Sequence, residues 1–186
     1  MFKQGLNFKE QLENLRNVRG LTMGGLFIAL YVVLTYFNIR ITDNLQIRFF
    51  FLALAAAGLY GGPVFAAFIG AAGDILGMLM TAGQGSSMFF GFTLSYALLG
   101  FGFGLILYRS KITVPKAIAA GVWEFIISMT LNTLWLYLMY GTPFPVLLAS
   151  RLIKSAIVLA PNCLMLFFVL QAFERVFHQL SKNAKA

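Results

Sequence analysis

Residues Met88 to Tyr108 read MFFGFTLSYALLGFGFGLILY, an unbroken apolar run without a single charge. At 1.5 Å per residue an α-helix of that length reaches about 31 Å, the thickness of a bilayer's hydrocarbon core. Five more apolar runs flank it, at about Leu21 to Phe37, Ile47 to Tyr60, Pro63 to Met80, Pro115 to Tyr140 and Val146 to Phe173. The pattern predicts an all-α membrane protein of six transmembrane helices. The second run is short, so neighbouring helices must shield it or the bilayer must thin around it. Gly61, Gly62 and Pro63 then predict an abrupt turn into the third.

Composition supports the same reading. Of 186 residues, 60% are hydrophobic and 11% charged, against about a quarter charged in soluble domains. The runs leave no space for a soluble domain. The expected organisation is an amphipathic cytoplasmic segment over 1–20, a six-helix transmembrane domain over 21–178 and a cytoplasmic tail over 179–186. The segment up to Gly20 lacks the apolar centre of a cleavable signal. Phe2, Leu6, Phe8, Leu12 and Leu15 recur there at near-helical spacing, as in a helix lying on a membrane surface.

The net charge of +8 would suggest nucleic-acid binding in a soluble protein. Its distribution argues against that. Lys3, Lys9, Arg16 and Arg19 precede the first run, Arg109, Lys111 and Lys116 separate the fourth from the fifth, and Arg175, Lys182 and Lys185 follow the sixth. With six spans these places share one side, so the positive-inside rule puts both termini in the cytoplasm. The outward connections NIRITDNLQIR, TAGQGSS and GTPFP are short and polar or rich in glycine and proline, as a lid would be.

Small residues four apart mark Gly25/Ala29, Ala66/Gly70 and Gly73/Gly77. In lipid such pairs let helices approach closely, either within the chain or on a face for a partner subunit. The last three runs carry polar and aromatic groups instead. Ionisable side chains at membrane depth are costly and point to function. Asp74 and Lys154 fall at similar depth and are expected to form an ion pair. Asn132 and Trp135, at i and i+3, share a helix face near the depth of Arg151. Arg151 and Lys154 likewise make a positive spot suited to carboxylates, unless Arg151 snorkels to outer headgroups. Trp135 and Tyr96 offer flat surfaces to an aromatic solute or serve as interface belt residues. Glu124 lies deeper and reads as structural, capped by Trp123 and its neighbours. Cys163 reads as packing and His178 as a solvated tail residue.

The sequence has no GxxxxGK[ST] phosphate loop, no HExxH and no paired Cys or His spacing. ATP hydrolysis by this chain, a metal site and a catalytic constellation are therefore not expected. No cofactor is implied.

Three segments resemble the folate-specific substrate-binding subunit, or S component, of energy-coupling factor (ECF) transporters. They are LYGGPVFAAFIGAAGDILG from Leu59 to Gly77, FFGFTLSYALLGFGFGLIL from Phe89 to Leu107, and LNTLWLYLMYGTPF with LLASRLIK between Leu131 and Lys154. The resemblance implies a vitamin importer subunit of the bacterial cell membrane. Such a subunit binds folate tightly from outside, docks on a transmembrane scaffold carrying two ATPase subunits, and topples to release its cargo inward. Carried over by position, Phe92, Thr93 and Tyr96 of GFTLSY, Asn132, Thr133 and Trp135 of NTLW, and Arg151 and Lys154 of RLIK would line the site. The first outward loop near Gln46 would be its lid. Gly25 and Ala29, with Ala66 and Gly70, would face the scaffold. Two positions depart from the group: Phe90 stands where a proline is expected, and Pro161-Asn162-Cys163 where Pro-Ile-Glu is expected. The missing acid keeps open a reduced folate, or another vitamin such as cobalamin. Read from the residues alone, a membrane scaffold protein without transport also stays open.

Overall fold

The computed structural model describes residues 17–42, 45–81, 89–108, 110–141 and 144–183. Its elements run α1 (Val18–Tyr36), β1 (Asn38–Thr42), β2 (Leu45–Arg48), α2 (Phe50–Gly61), α3 (Pro63–Thr81), α4 (Phe90–Leu107), α5 (Val114–Met129), α6 (Leu131–Tyr140) and α7 (Phe144–Asn183). Four segments are long and apolar enough to cross a membrane: Pro63–Met80, Phe90–Leu107, Val114–Met139 and Ser155–Val176. Gly20–Tyr36 and Phe50–Gly61 are shorter apolar helices at the two remaining expected places. Most of the amphipathic segment over 1–20, and the outward stretch TAGQGSS, lie outside the described residues.

The shortest apolar run occupies the middle of the bundle. Every residue of α2 from Phe50 to Gly58 is buried, with α1, α3, α4 and α7 packed around it. A twelve-residue helix reaches only about 18 Å, and burial by neighbours resolves the mismatch that lipid would impose. Gly62 then adopts φ 86° and its N–H bonds to the Gly58 carbonyl. A side chain there would strain the backbone, so glycine ends α2 and Pro63 opens α3 where its missing N–H costs nothing.

Helices α3 and α4 pack backbone against backbone. A Cβ on Gly70 would collide with the Tyr96 carbonyl, and one on Gly100 with the Ala66 carbonyl. Ala66 and Gly70 are both buried. Expected on a partner-facing surface, they are instead consumed by this internal contact, which small residues permit because backbones can nearly touch. Gly25 and Ala29 are exposed on α1, and a Cβ on Gly25 would meet nothing within 4 Å.

The structure refines three expectations. The first outward connection is a short antiparallel hairpin rather than a loop, pairing Asn38 with Arg48, Ile39 with Ile47 and Arg40 with Gln46. Alternation in NIRIT and LQIR supplies the two-residue period. The fifth apolar run, Val114–Met139, is long enough to span as expected and is divided into α5 and α6 by a turn at Thr130. Thr130 itself keeps its place in the ladder, its N–H donating to the Ile126 carbonyl at 2.9 Å and its carbonyl accepting from the Leu134 N–H at 3.0 Å. Thr133 Oγ1 donates to the Ser128 carbonyl five residues back at 3.3 Å, and Thr130 Oγ1 to the Ile126 carbonyl at 2.7 Å. Hydroxyl side chains inserted into the ladder are a recognised cause of such interruptions. The last helix exceeds its expected span at both ends: its forty residues are about 60 Å long, twice the hydrocarbon thickness.

Candidate functional site

Around the α5/α6 turn, α5, α6 and α7 each bring a polar side chain inward. In lipid, interrupted backbone is tolerated only where protein buries it or where it lines a polar site. Here Ser128, one residue before Met129 closes α5, accepts a bond from an Arg151 terminal nitrogen at 3.4 Å. That contact is long. Arg151 Nε and Asn132 Oδ1 are both buried and have no hydrogen-bond partner among the described residues. A donor from α7 and an acceptor from α6 are thus withdrawn from water and left unsatisfied. Buried polar atoms of this kind require an explanation, since each costs about 1–3 kcal/mol.

The α3/α4 contact contributes the next layer. Thr93 donates to Asp74 Oδ2 at 2.7 Å. The side chain of Lys154, the expected partner of Asp74, lies outside the described residues. Asp74 also lies close enough to Tyr31 and Tyr96 to act electrostatically on both hydroxyls. Close passage of α4 across Gly70 places Tyr96 beside Asp74. Tyr96 packs on Phe50 with ring centroids 4.9 Å apart and on Tyr31 at 6.5 Å.

A second aromatic group covers the start of α4. The Trp135 indole N–H donates to Ser95 Oγ at 2.8 Å. Phe89 packs on Trp135 at 5.7 Å and on Phe92 at 5.9 Å. A Cβ on Gly91 would strike both Phe89 and Trp135, so glycine in the GFTLS segment is what lets the rings close over the helix. These rings, with the amide of Asn132 next to them in sequence, form a surface fitted to a flat heteroaromatic solute.

Of the expected site residues, Phe92, Thr93, Tyr96, Asn132, Trp135 and Arg151 fall in or against this cluster. Thr133 is fully buried with its hydroxyl held by Ser128, so it shapes the break instead of facing a solute. Gln46 is placed in β2 by its backbone, with its side chain outside the described residues. Sequence reasoning missed several members, Phe89 and Ser128 among them. Tyr31 belongs through its contacts with Tyr96 and Phe50. Ser95 belongs as the acceptor for Trp135. Arg48 ends β2 two residues before Phe50, whose ring packs on Tyr96. Its place after alternating NIRITDNLQI was the available signal, because a hairpin returns its last residue to the bundle.

Glu124 belongs to a separate contact. Asn162 Nδ2 donates to both its carboxylate oxygens, at 3.1 and 3.0 Å, tying α5 to α7. Trp123, expected to cap Glu124, donates to the Leu98 carbonyl at 3.3 Å. The amide at 162 thus serves a carboxylate on the neighbouring helix, and a second acid there would set two negative charges against each other.

No protein-family model matches the chain. A relative described as "Folate transporter FolT", from Clostridium novyi, is 31% identical over 150 residues, covering 80% of this chain and 86% of the relative. A second of the same description, from Leuconostoc mesenteroides, is 25% identical over 148 residues, covering 76% and 78%. A solved structure described as "Crystal structure of FolT bound with folic acid" matches with a TM-score of 0.73 at 30% identity, covering 82% of this chain and 93% of that one.

Proposed function

Because this chain belongs to the family of the folate transporter FolT, whose members are S components of ECF transporters, we propose that it captures folate at the α5/α6 break for delivery inward. It is a multi-pass membrane protein of a transporter family rather than an enzyme family. The observation that carries the substrate reading is the pair of unsatisfied buried atoms, Arg151 Nε and Asn132 Oδ1, beside an aromatic wall. Folate has matching parts: a flat pterin with adjacent N–H donors, an aromatic linker and a glutamate carrying two carboxylates.

The roles follow from that chemistry. Phe89, Phe92 and Trp135 stack on the flat rings. Asn132 accepts from a ring donor, and Asp74, held by Thr93, presents a carboxylate to paired donors. Arg151 takes a carboxylate through charge-assisted bonds. No bond of the solute is broken, and the affinity comes from satisfying groups the free protein leaves unpaired.

Six spans with both termini in the cytoplasm of a bacterial cell fit the charge distribution. The scaffold subunit and its two ATPases dock, on this reading, against the exposed Gly25/Ala29 face of α1, and the chain needs no cofactor. The test is binding of radiolabelled folic acid to membranes holding this chain without partner subunits and without ATP. Saturable binding, displaced by unlabelled folic acid or a reduced folate and unaffected by cobalamin, is expected. Displacement by cobalamin instead, or no saturable binding, overturns the folate assignment.

A further inference from the structure

We infer that the connection between α4 and α5 forms, with α7, a seat for one anionic phospholipid, whose phosphate is held by Lys111 and Arg175 and whose acyl chains lie on the exposed apolar stripe of α5. The inference is independent of the folate reading. It starts from a turn that is held at three points. Ser110 Oγ donates to the Leu107 carbonyl at 2.8 Å where α4 ends. The Thr113 carbonyl accepts from the Lys116 and Ala117 N–H groups at 3.0 and 3.1 Å where α5 begins. Between them Ile112 is buried, and its N–H donates to Glu174 Oε2 on α7 at 3.2 Å. The connection is thereby tied to α7, against which α5 also packs.

Lys111 and Arg175 are each one residue from an end of that bond, and both are exposed. Two long cationic side chains therefore start from neighbouring points on the surface. Lys116 adds a third cation, its Nζ donating to the Lys111 carbonyl at 3.0 Å and so folding back over the turn. Among the described residues of this end the one acid is Glu174, with an oxygen already engaged by Ile112. Three cations against one carboxylate leave a positive surface. Beyond it α5 exposes Val114, Ile118, Val122 and Ile126, four residues apart along one stripe. Cations at the rim of an apolar stripe match the two parts of a phospholipid, a phosphate and its hydrocarbon chains. A free phosphate uses only the cations, and a zwitterionic headgroup brings a cation of its own against them. On the orientation proposed above, this end meets the inner leaflet. A headgroup bridging Lys111 and Arg175 reinforces the bond that ties the connection to α7.

The test titrates the purified full chain in detergent with dioleoyl phosphatidylglycerol or dioleoyl phosphatidylcholine and follows the bound lipid by native mass spectrometry. One phosphatidylglycerol is expected to bind at least about tenfold more tightly than phosphatidylcholine, the scale of two cations beside an anionic headgroup. Millimolar inorganic phosphate should not displace it. The double variant Lys111→Gln/Arg175→Gln should lower phosphatidylglycerol to the level of phosphatidylcholine. Both residues are exposed, so the substitutions open no cavity. Lys111→Arg/Arg175→Lys keeps both charges and should keep the preference. Equal binding of the two lipids to the unaltered chain overturns the seat, as does a preference that survives in the glutamine variant or disappears in the charge-keeping one. Displacement by inorganic phosphate overturns the lipid assignment in favour of a free anion.

Discussion

The indole N–H of Trp135 donates to Ser95 Oγ at 2.8 Å, joining the short helix beyond the break to α4 and fixing the ring against Phe89. A tryptophan held by packing and by a hydrogen bond loses little freedom when a solute stacks on it, which is how a preorganised surface gains affinity. Trp135→Phe keeps a ring but drops the bond, and should weaken folic acid binding by about threefold to tenfold, the equivalent of one ordinary hydrogen bond. Trp135→Ala removes the surface as well, and calorimetric titration should show a loss of about a hundredfold.

Thr93 is the described partner of Asp74. Thr93→Val leaves that buried carboxylate uncompensated and should cost about 1–3 kcal/mol of stability, seen as a lower thermal midpoint in detergent. Adding Asp74→Asn should recover part of the loss in the same melt, because a neutral amide is cheaper to bury than an unpaired charge.

The Asn162–Glu124 contact predicts an asymmetry between its ends. Asn162→Leu strands the Glu124 carboxylate between α5 and α7 and should lower the thermal midpoint. Glu124→Gln keeps an oxygen acceptor for the Asn162 amide and should change it little. Since the pair lies away from the aromatic wall, folic acid affinity in Glu124→Gln should stay within about threefold of the unaltered chain.

Two small-residue pairs should respond in opposite ways. Gly70→Val drives a side chain into the Tyr96 carbonyl and should abolish folding, read as loss of a monodisperse peak on size exclusion. Gly25→Val meets open space, so the variant should fold and bind folic acid normally. If α1 docks the scaffold subunit, complex formation in membranes falls in Gly25→Val while ligand binding is unchanged.

What was legible in the sequence follows from the strength of each physical signal. Apolar runs of bilayer length are unambiguous, so α1, α3 and α4 were placed within a few residues, whereas α7 continues past the expected end at Phe173 to Asn183. The shortness of the second run left two readings, shielding by neighbours or a thinned bilayer, and the burial of α2 from Phe50 to Gly58 decides for the first. The turn at Thr130 was hidden because Thr130 and Thr133 are tolerated inside helices, and only the structure shows their hydroxyls taking backbone carbonyls. Spacing within helices brought Asn132 and Trp135 together. Spacing cannot show which helix faces which, so the bond of Asp74 to Thr93 went unseen. Arg48 was missed for a related reason: its place beside Phe50 and Tyr96 depends on a hairpin folding back to the bundle, which no local pattern carries.

The most direct measurement is isothermal titration of the purified chain with folic acid, run in parallel on Arg151→Gln and Asn132→Ala. One-to-one binding without ATP is expected, weakened by about tenfold or more in each variant, with both variants folded by size exclusion. Heats in the two variants that match the unaltered chain, or no binding by the unaltered chain, would contradict capture of a solute by the unsatisfied groups at the α5/α6 break.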